Sequence, residues 1–235
     1  MISFFWSVVG IGAIVFSLYM EYSVYSRNHS ERINSLMRGR NAAQQEAVKY
    51  FCYSTGCLFN RKLITDVEYD EMVEYVVGQF DFKKMALQKL GLDEEQIKEV
   101  EPVHFEGYVY DNKVLCKKGV DTKWRSSKYQ VSWLFFSSEQ VYLYQYCFSM
   151  NDDEKKESTI EYFYKDVTKF TSSTETVEVS VYNNNKDTYE TVKVNENLFS
   201  IIVPGDEFHC SLDKSDYTER AIQGMKALLR DKKNS

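Results

Sequence analysis

Residues 128–150, KYQVSWLFFSSEQVYLYQYCFSM, hold two strand-length runs joined by the polar turn Ser137-Ser138-Glu139-Gln140. In the first run Tyr129, Val131, Trp133 and Phe135 share one side of a period-two pattern. In the second, Tyr142, Tyr144, Tyr146 and Phe148 alternate with Val141, Leu143 and Cys147. Both faces of that run are apolar or aromatic, which places it at the centre of a sheet.

The same period extends outward from this hairpin. Val103–Tyr110 forms a strand before it, separated by the polar segment Asp111–Ser127. Strands are expected after it at Thr159–Tyr164, Val167–Ser172, Thr176–Tyr182, Thr188–Val194 and Leu198–Val203, with a shorter one at Phe208–Leu212. Asn183–Asp187 supplies a hairpin loop, and Pro204-Gly205-Asp206 ends the last long strand. The chain closes on an amphipathic helix capped by Ser215 or Asp216, with Tyr217, Ala221, Ile222, Met225, Leu228 and Leu229 expected on its buried face.

Upstream, the period changes to that of short helices. Asn41–Phe59 has Ala43, Ala47, Tyr50 and Phe51 on one face. Thr65 or Asp66 caps the next helix, whose apolar stripe is Tyr69, Met72, Val73, Val76 and Val77. Asp81 caps Phe82–Leu90, which stops at Gly91, and Asp93 opens Glu94–Val100 before Pro102.

The first twenty residues stand apart. Ile2–Met20, ISFFWSVVGIGAIVFSLYM, carries no charge and would span roughly 28 Å as a helix. It reads as a transmembrane helix, with no Lys or Arg before it and no small-x-small cleavage site after it. Arg27, Arg32, Arg38, Arg40 and Lys49 follow it, so the expected protein is single-pass in the cell membrane, its N-terminus outside and its C-terminal domain cytoplasmic. Ser3, Ser7, Gly10, Ala13 and Ser17 line one face with small side chains, a face through which a homo-oligomer would pair. The expected fold class is therefore α+β. A transmembrane helix (2–20) and a helical connector (21–101) precede an antiparallel bent β-sandwich or barrel capped by a C-terminal helix (102–235).

Two resemblances attach to these segments. Tyr162-x-Tyr164-Lys165-Asp166-Val167-Thr168-Lys169-Phe170, the strand Asn197–Val203 and the final helix resemble bacterial pleckstrin-homology-like (PH-like) domains over about 130 residues. Leu63-Ile64-Thr65-x-x-Glu68-Tyr69, within residues 58–75, is similar to the helix-turn-helix of SHOCT-type mini-domains. The first implies a binding or scaffolding module, and the second implies oligomerisation or docking without an active site.

Composition narrows the function classes. A net charge of −6 argues against a general nucleic-acid partner, which needs a cationic surface. The five cysteines, Cys52, Cys57, Cys116, Cys147 and Cys210, form no Cys-x-x-Cys pair and read as reduced thiols. His29, His104 and His209 are scattered away from any Cys pair, so neither a metal site nor a cofactor is expected. The acidic loop Asn151–Lys156 lacks the glycine and terminal Glu of a calcium loop. No glycine-rich phosphate loop, His-Glu-x-x-His or Gly-x-Ser-x-Gly occurs, so no enzyme is expected; a deep polar cleft with perturbed titratable groups would reopen that question.

The expected function is a non-catalytic module presented to a protein or peptide partner, added at an exposed strand edge. The alternative is contact with anionic lipid. Lys113, Lys117, Lys118, Lys123, Arg125 and Lys128 cluster between the first two strands. In PH domains that loop grips phosphoinositides, and Lys123-Trp124-Arg125 resembles their Lys-x-Arg step. The resemblance thus implies lipid-binding roles for Lys117, Lys118, Lys123, Trp124, Arg125 and Lys128.

Overall fold

The computed structural model describes residues 16–17, 19–20, 23–24, 27, 30–53, 63–97, 100–111, 113–183 and 188–234. After the described helical residues up to 37 come three helices: α1 (Ala42–Cys52), α2 (Asp66–Gly78) and α3 (Phe82–Leu90). A 3-10 turn (Glu94–Ile97) leads into nine strands. β1 (Val103–Tyr108), β4 (Lys128–Phe136), β5 (Gln140–Ser149) and β6 (Lys155–Phe163) form an antiparallel sheet in the order β1-β4-β5-β6. β7 (Lys169–Asn183), β8 (Thr188–Val203) and β9 (Asp206–Ser211) form a second, in the order β7-β8-β9. β2 (Cys116–Lys118) and β3 (Trp124–Ser126) pair only with each other, and α4 (Asp216–Asn234) closes the chain.

The first sheet is buried from both sides. Leu134, Phe136, Val141 and Leu143 meet Phe199, Ile201 and Phe208 of the second sheet and Ile222, Met225 and Leu229 of α4. The opposite face, Tyr129, Val131, Phe135, Tyr144, Tyr146 and Phe148, packs against Ala47, Tyr50, Tyr69, Val73, Phe82 and Ala86 of the helices. The helices and this face thus share one aromatic core, in which Tyr50 and Tyr69 stack with centroids 4.3 Å apart. Side chains also tie the two sheets together. The Ser211 N–H donates to Gln130 Oε1 at 2.8 Å, and Gln145 Nε2 donates to the His209 carbonyl at 2.8 Å.

Helix boundaries follow their caps. Thr65 and Glu68 form a reciprocal capping box on α2, and Asn41 with Gln44 does the same on α1. Asp81 caps α3, and Gly91, at φ 65°, supplies the left-handed residue that ends it. Two differences from the sequence pattern concern strands. The pairs expected at 167–172 with 176–182, and at 188–194 with 198–203, are single long strands, β7 and β8. Polar residues such as Glu175 and Asn195 interrupt the apolar pattern there without interrupting the backbone ladder. The polar segment 111–127 contains the β2–β3 hairpin, which the charge pattern hides.

One expectation is corrected. Among the described residues no helix is long and apolar enough to cross a membrane. The transmembrane helix expected over 2–20 is not upheld, and the single-pass membrane localisation and N-outside topology that rest on it fall with it. Of that stretch only Phe16, Ser17, Tyr19 and Met20 are described, all helical and exposed. Ser3, Ser7, Gly10 and Ala13 of the small-residue face lie outside the described residues. The described helical residues 30–37 carry Glu31 and Arg32, and their Ile33 buries against Val48, Cys52 and Tyr53 rather than toward an apolar solvent.

Candidate ligand cleft

α2 is the element that positions the site. Asp66, Tyr69, Asp70 and Val73 recur at the spacing of one helical face. That face grips the β2–β3 hairpin at both ends. Asp66 Oδ2 accepts from the Val120 N–H at 2.7 Å, and its Oδ1 accepts from the Tyr50 hydroxyl at 2.8 Å. Tyr69, fully buried, donates to the Ser126 carbonyl at 2.8 Å. Asp70 takes Arg125 through both oxygens, with Nε and Nη2 each at 2.7 Å, and accepts from the Tyr108 hydroxyl at 2.8 Å.

The hairpin turn is shaped to this grip. Thr122 has φ 67°, a conformation a β-branched residue rarely holds and one that costs of order 1–3 kcal/mol. The bonds from Gly119 N–H to Lys123 O and from Thr122 N–H to Gly119 O fix it. A Cβ at Gly119 would fall 2.4 Å from an Arg125 nitrogen and 2.6 Å from carboxylate oxygens of Asp121 and Asp66, so any larger residue would displace the ends of these charged side chains. Arg125 is 3% exposed and also reaches Asp121 at 2.9 Å. The guanidinium bond holds the Asp121 carboxyl down at about 2, and the bonds to Asp70 and Asp121 raise Arg125 above its ordinary range.

Between α2, this hairpin and the second sheet opens a cleft of about 610 Å³. Asp70, Val73 and Glu74 form one wall, and Tyr108, Tyr110, Trp124 and Tyr129 supply aromatic surface. Lys193, Asn195, Glu196 and Asn197 of β8 form the opposite wall, with Leu212, Asp213 and Lys214 at its end. Glu196 is 8% exposed and accepts from Ser211 Oγ at 3.1 Å and from the Tyr110 N–H. Burial still pushes its carboxyl up. Asp213 reaches solvent at the cleft mouth, yet the enclosing walls also push its carboxyl up, with nearby Lys123 working the other way. Burial raises Glu106 as well, aided by Asp213 and Glu74.

Tyr129 distinguishes this cleft from a solvated surface hollow. It is 8% exposed, it lines the cleft, and its hydroxyl makes no hydrogen bond among the described residues. The one described side-chain polar atom both sealed from solvent and unpartnered is Ser132 Oγ, so the Tyr129 hydroxyl opens on the cleft. Burial, then the carboxylates of Glu106, Asp213, Asp70 and Glu74, raise its pKa, so it remains a neutral phenol.

The basic residues singled out in the sequence are divided by the fold. Arg125 is held as described. Lys128 pairs with Asp111 at 3.0 Å and Glu154 at 3.4 Å. Lys117 Nζ donates to the Tyr50 carbonyl at 2.9 Å and sits 4.3 Å from that ring's centroid; burial lowers its pKa. Trp124 packs with Val114, Cys116, Val179 and Val194, and its carbonyl accepts from the Tyr110 hydroxyl at 2.9 Å. Lys118 and Lys123 are exposed, and Lys123 lines the cleft. Three of the six are thus brought to the cleft: Lys123, Trp124 and Arg125.

Sequence reasoning passed over Tyr129, Glu74, Glu196 and Asp213 as site residues. A signal existed for Glu196. Asn195-Glu196-Asn197 breaks the apolar pattern of a strand whose ladder continues unbroken. Glu74 and Asp213 carry no such mark, since exposed acidic residues on a helix and after a strand are common. Comparison with family models, curated proteins and solved structures finds no match to this chain.

Proposed function

We propose that this protein is a non-catalytic binding module whose cleft receives a peptide segment of a protein partner. The carrying observation is Tyr129, nine-tenths buried, with an unpartnered hydroxyl aimed into a cleft lined by charges of both signs. The volume lies within the 300–1,000 Å³ typical of ligand pockets, and the junction between packed layers is a common place for one. A peptide brings donors, acceptors and charges at close intervals, which suits Asn195, Asn197, the Tyr129 hydroxyl and the rim lysines. Strand addition has less support. The outer edge of β6 carries Lys155, Lys156, Glu157 and Glu161, the charge pattern with which edges resist pairing.

The raised carboxyls also suit general acid chemistry. Among the described residues no His, Ser, Thr or Cys lines the cleft to act with them, and Glu196 and Asp70 are occupied by structural hydrogen bonds. This favours binding over turnover.

Selection from a displayed random peptide library tests the reading, with the full chain compared against Lys193→Trp. Lys193 is exposed on the cleft wall, so the indole fills the cleft without entering the core. Peptides enriched by the parent chain should be lost with the variant while its thermal midpoint holds. Equal enrichment by both, or none by the parent, would remove the reading.

A further inference from the structure

Four acidic and four basic side chains line the cleft, but the charges that act on Tyr129 are the carboxylates of Glu106, Asp213, Asp70 and Glu74. Arg125, the buried cation of the lining, is already held by Asp70 and Asp121. Asp70 is spent on Arg125 and Tyr108, and Glu196 on Ser211 and the Tyr110 N–H. The carboxylates of Glu74 and Asp213 make no hydrogen bond or ion pair among the described residues. Both line the cleft with the Tyr129 hydroxyl. Lys123, Lys193 and Lys214 are exposed along its walls, and Lys214 Nζ donates outward to Thr174 Oγ1 at 3.1 Å.

We infer that the cleft beside Tyr129 is a subsite for a monovalent organic cation, the ammonium or guanidinium of a Lys or Arg side chain in the bound segment. Its N–H groups donate to the Tyr129 oxygen and to the carboxylates of Glu74 and Asp213. Charge-assisted bonds of this kind are the stronger class, and the aromatic walls of Tyr108 and Trp124 suit a weakly hydrated cation. Burial is what chiefly raises Glu106 and Asp213, with neighbouring carboxylates adding to it, and a cation bound between such groups would favour their charged forms. The inference rests on the cleft being the ligand site and adds the chemistry of what enters it.

The test uses the full chain with ring-labelled tyrosine, titrated with N-acetylarginine amide, N-acetylglutamine amide and N-acetylglutamate amide. The arginine compound should shift the Tyr129 resonance with a Kd of ~1 mM, at least about tenfold tighter than the glutamine compound. Glu74→Gln combined with Asp213→Asn should weaken it about tenfold; both residues are solvent-exposed, and a thermal midpoint no lower than the parent's confirms the fold. Equal affinity for the three compounds, tighter binding of the glutamate compound, or no Tyr129 shift would each overturn the cationic subsite. The peptide selection with Lys193→Trp decides the cleft reading separately, so the two fail by different results.

Discussion

Asp70 joins three elements through one carboxylate: α2 carries it, β3 supplies Arg125 and β1 supplies Tyr108. Removing it leaves a guanidinium 3% exposed with only Asp121 beside it. Breaking a buried pair from one side typically costs 3–5 kcal/mol. Both carboxylates here keep some contact with water, so Asp70→Ala should cost about 3 kcal/mol in denaturant unfolding, the low end of that range. Ser132 presents the opposite case. It is fully buried, and among the described residues its Oγ has only the weak neighbour that the Cys210 thiol provides. Ser132→Ala should therefore be neutral within ~0.5 kcal/mol or mildly stabilising, measured the same way. A clear loss would show that the hydroxyl has a partner after all.

Among the elements, α2 does most to build the cleft, and its first turn is set by the Thr65–Glu68 box. Thr65→Ala should cost ~1 kcal/mol. Because Asp66 follows directly and holds the Val120 N–H, the loss should also appear as faster amide exchange at Val120. The caps of α2 and α3 were legible in the sequence because capping is local: Thr65-x-x-Glu68 and Asp81 through Gly91 need no distant partner. The two-sided burial of β5 was legible for a similar reason, since alternation shows which faces are apolar, whereas for β4 only the face of Tyr129, Val131 and Phe135 was read. Which elements cover those faces was not, because an apolar stripe does not name its partner. The β2–β3 hairpin was hidden for a different cause. Its four positive charges, with Lys113 and Lys128 beside them, read as one lipid-facing cluster, whereas Arg125, Lys117 and Lys128 each point back to a specific acceptor. Of the apolar run at 2–20 only residues 16, 17, 19 and 20 are described, and among the described residues no helix is long and apolar enough to cross a membrane.

For the whole molecule, the titrating groups pull stability in two directions. Glu106, Glu196 and Asp213 have folded pKa values above their ordinary ones, so the native state takes up protons first as pH falls from 7. Their unfavourable contribution at neutral pH is relieved on that descent; His104, lowered by burial, opposes it over the same range because the unfolded imidazole takes up its proton first, but three carboxyls outweigh one imidazole, and the chain should be more stable at pH 5 than at pH 7. Asp121 acts in the opposite sense: depressed to about 2, it stabilises above the unfolded value and that contribution is lost as pH falls below about 4. Denaturant midpoints should rise from pH 7 to pH 5 and then fall steeply below pH 4. Glu196→Gln should flatten the first slope, since an amide in its place has no proton to gain.

The central claim is that ligand enters between α2, the β2–β3 hairpin and β8. The most direct measurement is an amide and tyrosine-ring shift map of the full chain, bound to the strongest peptide from the displayed library. The account predicts perturbations concentrated at Glu74, Trp124, Tyr129, Asn195 and Asp213, with the Tyr129 ring among the largest. Perturbations running along 155–163 on the outer edge of β6, with the Tyr129 ring unmoved, would contradict it.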